Sequence, residues 1–451
     1  MPETYRRSWL LVLTVGLGTL LNPLNSSMIA VALTRLEQEY RLTFADASWL
    51  ISAFYLASAS AQPVMGKLSD MFGAKRLFLV GLVLVAGASA LAPFAPNFWT
   101  LVAFRALQAI GSSTLFPSGM SIVRAAITEG QARALSVLAV FSSVSAAFGP
   151  SIGGFLIEYW DWQAIFLVNL PFIVAAFALA VFILPDTGKG KIEFGRIDFG
   201  GIALFVAAII ALLLFLLSLG EAVRWGAGLV FAVALVCFTF YERNRREPFI
   251  DLAALKSNVN ATMVYLHFIA VNVVFYTLFF GMPTFLQQVC GYSERETGLL
   301  MLSIAGYGVI IAPLAGRWID RSGSKPPLLA GALTALAGTW LLLTIHETSA
   351  LVWLVAVMSV LGISNGFNNI SIQTALYEFV RPEETGAASG LFQTCRFLGS
   401  ILSSSLLGIL FNRHIETAHL HTAAFVCMLV SLLIVLFSLR MPSRKKLHRP
   451  L

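Results

Sequence analysis

An all-α integral membrane protein, with two six-helix bundles and two further helices inserted between them, is the fold that the sequence predicts. Three observations predict it. The chain of 451 residues is 58% hydrophobic and only 12% charged, whereas soluble domains carry roughly 25% charged residues. Its mean hydropathy is +0.81. Fourteen apolar runs of spanning length are parted by charged segments, and about 20 apolar residues cross a bilayer as a helix. A small polar cassette occurs twice, as GKLSDMFGAKR at 66–76 and GRWIDRSGSKP at 316–326.

The first bundle takes the runs 8–33, 48–68, 75–95, 97–122, 134–158 and 162–184. The runs 199–219 and 225–241 lie between two charged segments, DTGKGKIEFGRID (186–198) and ERNRREPFIDLAALK (242–256). The second bundle takes 260–287, 297–318, 326–345, 349–376, 387–411 and 420–440. Helices are required, because strand alternation is absent and only helices or closed barrels satisfy their backbone in lipid. The expected domains are therefore 1–185, a first bundle; 186–256, a linker with helices 7 and 8; and 257–451, a second bundle with a cytoplasmic tail.

Charge tests that count. With fourteen crossings and a cytoplasmic N-terminus, most of the 30 lysines and arginines fall on the cytoplasmic side, as the positive-inside rule requires. Both termini are then cytoplasmic, in a multi-pass protein of the cell membrane. Orientation accounts for the net charge of +7 without a nucleic-acid partner. No cleavable leader is expected, because MPETYRRS runs into a full-length apolar run without an A-x-A-like site. Cys237, Cys290, Cys395 and Cys427 lack metal-ligand spacing and are expected to be free. No metal or cofactor is expected. The chain has no H-E-x-x-H, G-x-S-x-G or Walker motif, which argues against a membrane enzyme or ATP drive. No repeated filter or ring of acids suggests a channel.

The cassettes match in detail. Gly66, Asp70, Gly73 and Lys75 return as Gly316, Asp320, Gly323 and Lys325 at the same offsets, each after the second run of its half. Gly66 and Gly316 permit close helix approach. Asp70 and Asp320 can accept hydrogen bonds at a helix N-terminus. Gly73 and Gly323 permit a tight turn. Lys75 and Arg76 are expected to anchor on the inner leaflet and to pair with acids. Together they predict a cytoplasmic latch between the halves. Duplicated bundles of this kind are common among transporters, with the substrate site between the halves.

Polar side chains inside the runs are candidate cavity residues, because they are expensive in lipid. Arg105, Gln108 and Ser112 form an i, i+3, i+7 stripe, and Arg396 lies near the middle of its run with Gln393 one turn away. Asn22 and Asn25, Asn365, Asn369 and Gln373, and Asn272 either line a wet cavity or bond helices together. His267 is either a proton carrier or a neutral packing residue. Glu158 and Glu378 are interfacial, and no acid stands at the midplane. Two arginines without an acid bias the cavity towards neutral, zwitterionic or anionic amphiphiles.

Several stretches resemble the major facilitator superfamily, and within it the fourteen-span drug:proton antiporter branch. GKLSDMFGAKR is similar to the signature between its second and third spans. LVAFRALQAIGSS (101–113) is similar to its fourth-span motif, and AFGPSIGG (147–154) to its fifth-span antiporter motif. WQAIFLVNLP (162–171), EPFIDL (247–252), PTFLQQVCGYSERETGL (283–299) and GAASGLFQTCRFLG (386–399) resemble that branch too. The resemblance implies an exporter of lipophilic small molecules, in contact with membrane lipids, working by alternating access and driven by inward proton flow; a monomer is expected because both halves occur in one chain. In AFGPSIGG, Gly149 and Pro150 are expected to break the backbone ladder and kink the helix, and Gly153 and Gly154 to permit a close, sealing contact. The sequence departs from the branch where an aspartate is usual, with Asn25 in its place, and where Ala109 follows Gln108 instead of glycine. The loss of that acid motivates an alternative, a lipid or anionic/neutral amphiphile exporter with weak or no proton coupling.

Overall fold

The computed structural model describes residues 3–42, 49–127, 129–186, 198–218, 223–245, 248–292, 294–411 and 415–442. Most of the charged segment 186–198, and the tail beyond 442, lie outside them. Sixteen α-helices of twelve or more residues occur among the described residues: α1 Glu3–Thr19, α2 Leu21–Tyr40, α3 Trp49–Phe72, α4 Ala74–Leu91, α5 Phe98–Ala126, α6 Gln131–Trp160, α7 Asn169–Ile183, α8 Phe199–Leu217, α9 Trp225–Arg243, α10 Val259–Gln288, α11 Glu294–Ala305, α12 Tyr307–Ser322, α13 Lys325–Leu342, α14 Leu351–Phe379, α15 Thr385–Leu410 and α16 Thr417–Arg440.

Sixteen helices replace the fourteen expected because two runs are broken. The run 8–33 divides into α1 and α2 at Leu20. Pro23 lies one turn later and has no N–H to continue the ladder across that point. The run 297–318 divides into α11 and α12 at Gly306, where the turn is so tight that a Cβ would come within 2.6 Å of the Leu302 carbonyl. α6 runs on through Gly149 and Pro150, although Pro150 has no N–H to give to the ladder there.

Nine helical stretches among the described residues are long and apolar enough to cross a membrane. α3, α5 and α15 fall short because serine, glutamine and arginine interrupt their apolar sequence. Many of these polar side chains, including Gln62, Arg105, Gln108 and Gln393, are buried within the protein. Large apolar side chains are exposed instead, such as Val233, Val236 and Phe240 on α9 and Phe182 on α7, as a lipid-facing surface requires.

The chain forms two compact units. Unit 1 comprises 1–197 with 380–394, and unit 2 comprises 198–379 with 395–451. The division falls inside α15, so the start of that helix groups with unit 1. In unit 1, α5 packs on α3 and α4, and α7 packs on α1 and α4. In unit 2, α14 packs on α12 and α13, and α16 packs on α10 and α13. The pairings correspond, helix for helix, under the register that superposes the two cassettes. The core of unit 2 gathers Met282, Phe285, Leu342, Met358 and Cys427, all buried. All four cysteines are free. At one end of unit 1, Arg35 grips Asp161 in a bidentate pair, with Nε and Nη2 each donating at 2.8 Å. This pairing holds the Asp161 carboxyl below its usual pKa.

Candidate functional site

Inside unit 1, four helices converge on one buried polar network. Its centre is Asn25, held near the start of α2 by the break at Leu20. The Asn25 Oδ1 accepts from Gln108 Nε2 at 3.0 Å and from Asn169 Nδ2 at 2.8 Å. Gln108 Nε2 also donates to Ser89 Oγ at 2.9 Å. Arg105 Nη1 donates to Gln108 Oε1 at 2.6 Å, and Nη2 reaches the Asn25 carbonyl at 3.5 Å. One turn away, Asn22 Nδ2 donates to Ser112 Oγ at 3.0 Å. The helical stripe of Arg105, Gln108 and Ser112 therefore presents all three side chains to this network. The guanidinium lies over the Phe54 ring, with its carbon 4.4 Å from the ring centroid, a favourable cation–π arrangement. Arg105 is 1% exposed.

A second arrangement lies at the first cassette. Asp70 stands near the end of α3, beyond the apolar run 48–68. Its Oδ1 and Oδ2 accept from the backbone N–H groups of Gly386 and Ala387, each at 2.8 Å. Those are the first free amides of α15, which need an acceptor and attract negative charge. Ser121 Oγ donates to the same carboxylate at 3.4 Å. Burial pushes the Asp70 carboxyl up to about 7, against the lowering effect of these donors and of Lys67.

Glycine makes the approach possible. A Cβ on Gly66 would come within 2.2 Å of the Gly386 carbonyl oxygen, and one on Gly390 within 2.2 Å of the Gln62 carbonyl oxygen. Thr394 Oγ1 donates to the Ala59 carbonyl at 3.0 Å, further along the same crossing. Arg124, at the end of α5, donates to Thr385 Oγ1 at 2.9 Å and to the Val380 carbonyl. The start of α15 is therefore held from two sides.

Gly73 and Gly323 have φ of 94° and 82°, which favours glycine at both turns. Lys75 departs from its expected role. Its Nζ donates to the carbonyls of Val181 and Leu184 at 2.8 Å, closing the C-terminal end of α7. Lys325 Nζ donates to the Leu439 carbonyl at 2.8 Å near the end of α16. Each cassette lysine thus caps the last helix of its own repeat, because a helix C-terminus offers free carbonyls and attracts a cation. Arg76 is exposed, Gly316 is buried and Asp320 is half-buried.

The other candidates are dispersed. Gly149 and Gly153 press α6 onto α2. A Cβ would come within 1.8 Å of Ser27 Oγ at the first and 3.2 Å of the Met28 carbonyl at the second. Gly154 is half-buried, and the side chain of Pro150 lies outside the described residues. In unit 2, Asn365 lines a small cavity with Asn368, Ser364, Phe275 and Leu361. Asn369 and Arg396 are half-buried. Asn272 donates from Nδ2 to the Phe268 carbonyl at 2.7 Å, within its own helix. His267 is fully buried beside Phe437, with 6.0 Å between ring centroids. Neither of its ring nitrogens has a hydrogen-bond partner among the described residues. Gln373 Nε2 reaches Tyr377 Oη at 3.5 Å. No group of three or more His, Cys, Asp or Glu among the described residues is placed to hold a metal ion.

Sequence reasoning did not single out Asn169, Ser89, Phe54 or Asn368. Asn169 was within reach, since it stands in the quoted stretch WQAIFLVNLP. Ser89 and Phe54 carry no local signal, and only the packing brings them to Arg105.

Comparison with known proteins places these features among relatives. The sequence model described as Major Facilitator Superfamily matches residues 15–404. The chain is 47% identical to "Uncharacterized MFS-type transporter YwoD" of Bacillus subtilis, over 90% of each chain. It is 29% identical to the "Tetracenomycin C resistance and export protein" of Streptomyces glaucescens, over 90% of this chain and 76% of that protein. It is 29% identical to the "Multidrug transporter protein MdtP" of Bacillus subtilis, over 81% and 68% respectively. Among solved structures, the human organic anion transporter MFSD10 (TETRAN) aligns with a TM-score of 0.69 at 16% identity, covering 96% of this chain and 99% of that one. At that identity the likeness speaks for the fold.

Proposed function

Since this chain belongs to the Major Facilitator Superfamily, a family of multi-pass membrane transporters and not of enzymes, we propose that it exports lipophilic or amphiphilic small molecules by alternating access. The names of relatives at 27–29% identity, among them export and multidrug resistance proteins, support the export direction and the substrate class. The observation that carries the cycle is the seat of Asp70 on the amides of Gly386 and Ala387. An ionisable side chain of the first repeat there holds the end of a helix that belongs, in sequence, to the second. Such a contact can be made and broken in each cycle.

In this reading the runs broken at Leu20 and Gly306 each cross the membrane once, as do the polar helices α3, α5 and α15. The chain then makes fourteen crossings of the cell membrane with both termini cytoplasmic. Residues 1–185 and 257–451 act as the two moving halves, α8 and α9 stand apart from the cycle, and one chain suffices. Asn22, Asn25, Arg105 and Gln108 line the substrate path from the first half. Asn272, Asn365, Asn369 and Arg396 line it from the second.

Proton influx would reset the carrier. Asp70 suits that coupling better than His267, whose ring has no hydrogen-bond partner among the described residues to relay a proton. A lipid or amphiphile exporter with little coupling is the second reading, favoured by the absence of an acid at Asn25. Purified protein in liposomes with an acidic interior and a fluorescent proton probe separates them. Substrate-dependent collapse of the gradient is expected for antiport. Movement of labelled amphiphile with an unchanged gradient would leave export standing and remove the proton. No movement of any compound would overturn the export reading.

A further inference from the structure

The network around Arg105 has a charge but no counter-charge. The guanidinium is permanently cationic and is 1% exposed. Its hydrogen-bond partners are the neutral Gln108 side chain and a backbone carbonyl. Among the described residues no carboxylate pairs with it, and the ion pairs at Arg35 and Arg381 do not involve it. A buried charge without an opposite charge is costly, and a pairing anion removes much of that penalty.

The orphaned atoms of the network are unevenly divided. Arg105 Nε and Asn25 Nδ2 are buried donors without a hydrogen-bond partner among the described residues, against one orphaned acceptor, Asn169 Oδ1. Buried polar groups are nearly always paired, so two idle donors at one cation call for an acceptor. The Asn25 Oδ1 is already occupied by Gln108 and Asn169. The free donor and the cation are therefore left to face an incoming group. Half-buried Asn22, one turn along α2 and bonded to Ser112, extends the polar surface out of the buried region.

We propose that this network binds the anionic head of an amphiphilic substrate, a carboxylate, sulfonate or phosphate monoester. Arg105 supplies the charge, and Asn25 is the residue that sets the preference for an anion. The proposal rests on the export reading above and adds to it the sign of the substrate's charge. A carboxylate at position 25 would neutralise Arg105 internally and turn the same site towards neutral or cationic ligands. The single difference between an amide and an acid would thus select the substrate class.

The test uses one aryl-alkyl body carrying a carboxylate, a primary amide or an amine. Binding to the purified protein is read by the shift in Tm, and transport by uptake of the labelled compounds into proteoliposomes. The carboxylate is expected to bind at least about tenfold more tightly than the amine, equivalent to about 1.4 kcal/mol. Arg105→Gln should abolish that preference, and Asn25→Asp should reverse it. If Asn25→Asp does not fold, Arg105→Gln and Arg105→Lys still decide, with Lys expected to keep part of the preference. Equal or tighter binding of the amine by the unaltered protein overturns the proposal, as does a carboxylate preference that survives Arg105→Gln. Transport of the amide and amine without the carboxylate sinks the anion site and leaves export intact. Carboxylate binding without transport of any compound keeps the site and sinks export.

Discussion

Asp70 accepts the backbone amide of Gly386 at 2.8 Å across 316 positions of sequence. The contact requires an oxygen acceptor on one side and the absence of a side chain on the other. A Cβ at Gly386 would lie 2.5 Å from that same carboxylate oxygen. Hydrogen bonds of this type contribute about 0.5–1.5 kcal/mol each. Asp70→Asn keeps the shape but replaces one of the two acceptors by an NH2 donor and can neither gain nor lose a proton. The expected result is at least about a tenfold fall in transport rate with near-normal membrane yield. Equal loss of folded protein would show that the contact serves folding instead.

The same carboxyl predicts a pH effect. Its pKa is pushed up from 3.8 to about 7 by burial. The arrangement that buries Asp70 therefore holds a proton that a solvated Asp70 releases. Its contribution to stability is whole below pH 3.8 and is lost as pH rises through about 7. Maleimide labelling of Lys67→Cys, in a background without the native cysteines, should increase over that range beyond the reagent's own pH dependence. Asp70→Asn should flatten the excess. An identical profile in the two proteins would remove Asp70 as the titrating group.

Two glycines should respond oppositely to alanine. A Cβ at Gly390 would strike the Gln62 carbonyl at 2.2 Å, whereas one at Gly87 meets nothing within 4 Å. Gly390→Ala should force α15 away from α3 and depress transport. Gly87→Ala should raise Tm, because alanine is favoured over glycine in a helix by about 1 kcal/mol. Thermal melts and uptake of both variants check the pair.

Lys75 and Lys325 should matter to stability more than to selectivity. Each closes the carbonyls at the end of one helix, an interaction of about 0.3–1 kcal/mol. Lys75→Met and Lys325→Met should each lower Tm by about a degree or less and leave the ranking of substrates unchanged. A change in ranking would assign the lysines to the substrate path.

Much of this was legible in the sequence, and what was not has a common cause. Each long helix falls in an apolar run, though two runs hold two helices apiece, because a bilayer demands length and hydropathy that short windows reveal. Gly73 and Gly323 were readable as turn residues because a positive φ excludes most other side chains. The breaks at Leu20 and Gly306 were missed because neither interrupts the apolar pattern. Lys75 was misjudged because its partners, Val181 and Leu184, lie more than a hundred residues away and are backbone atoms, which no residue type announces. Arg105 and Gln108 were found from their spacing, yet Asn169 was passed over. An asparagine at a helix start reads as an ordinary cap until α2 is packed beside it.

The network around Asn25 is made of amides, hydroxyls and one guanidinium: Asn22, Asn25, Ser89, Arg105, Gln108, Ser112 and Asn169. In water none of these side-chain types gains or loses a proton between about pH 5 and pH 9. The grip on a ligand held there is therefore insensitive to acidity, so long as the ligand itself keeps its charge. A carrier with such a site cannot let proton and cargo compete for one group. Acidity would then alter how fast it turns over while leaving half-saturation where it was, and the two events would occupy separate addresses in the molecule.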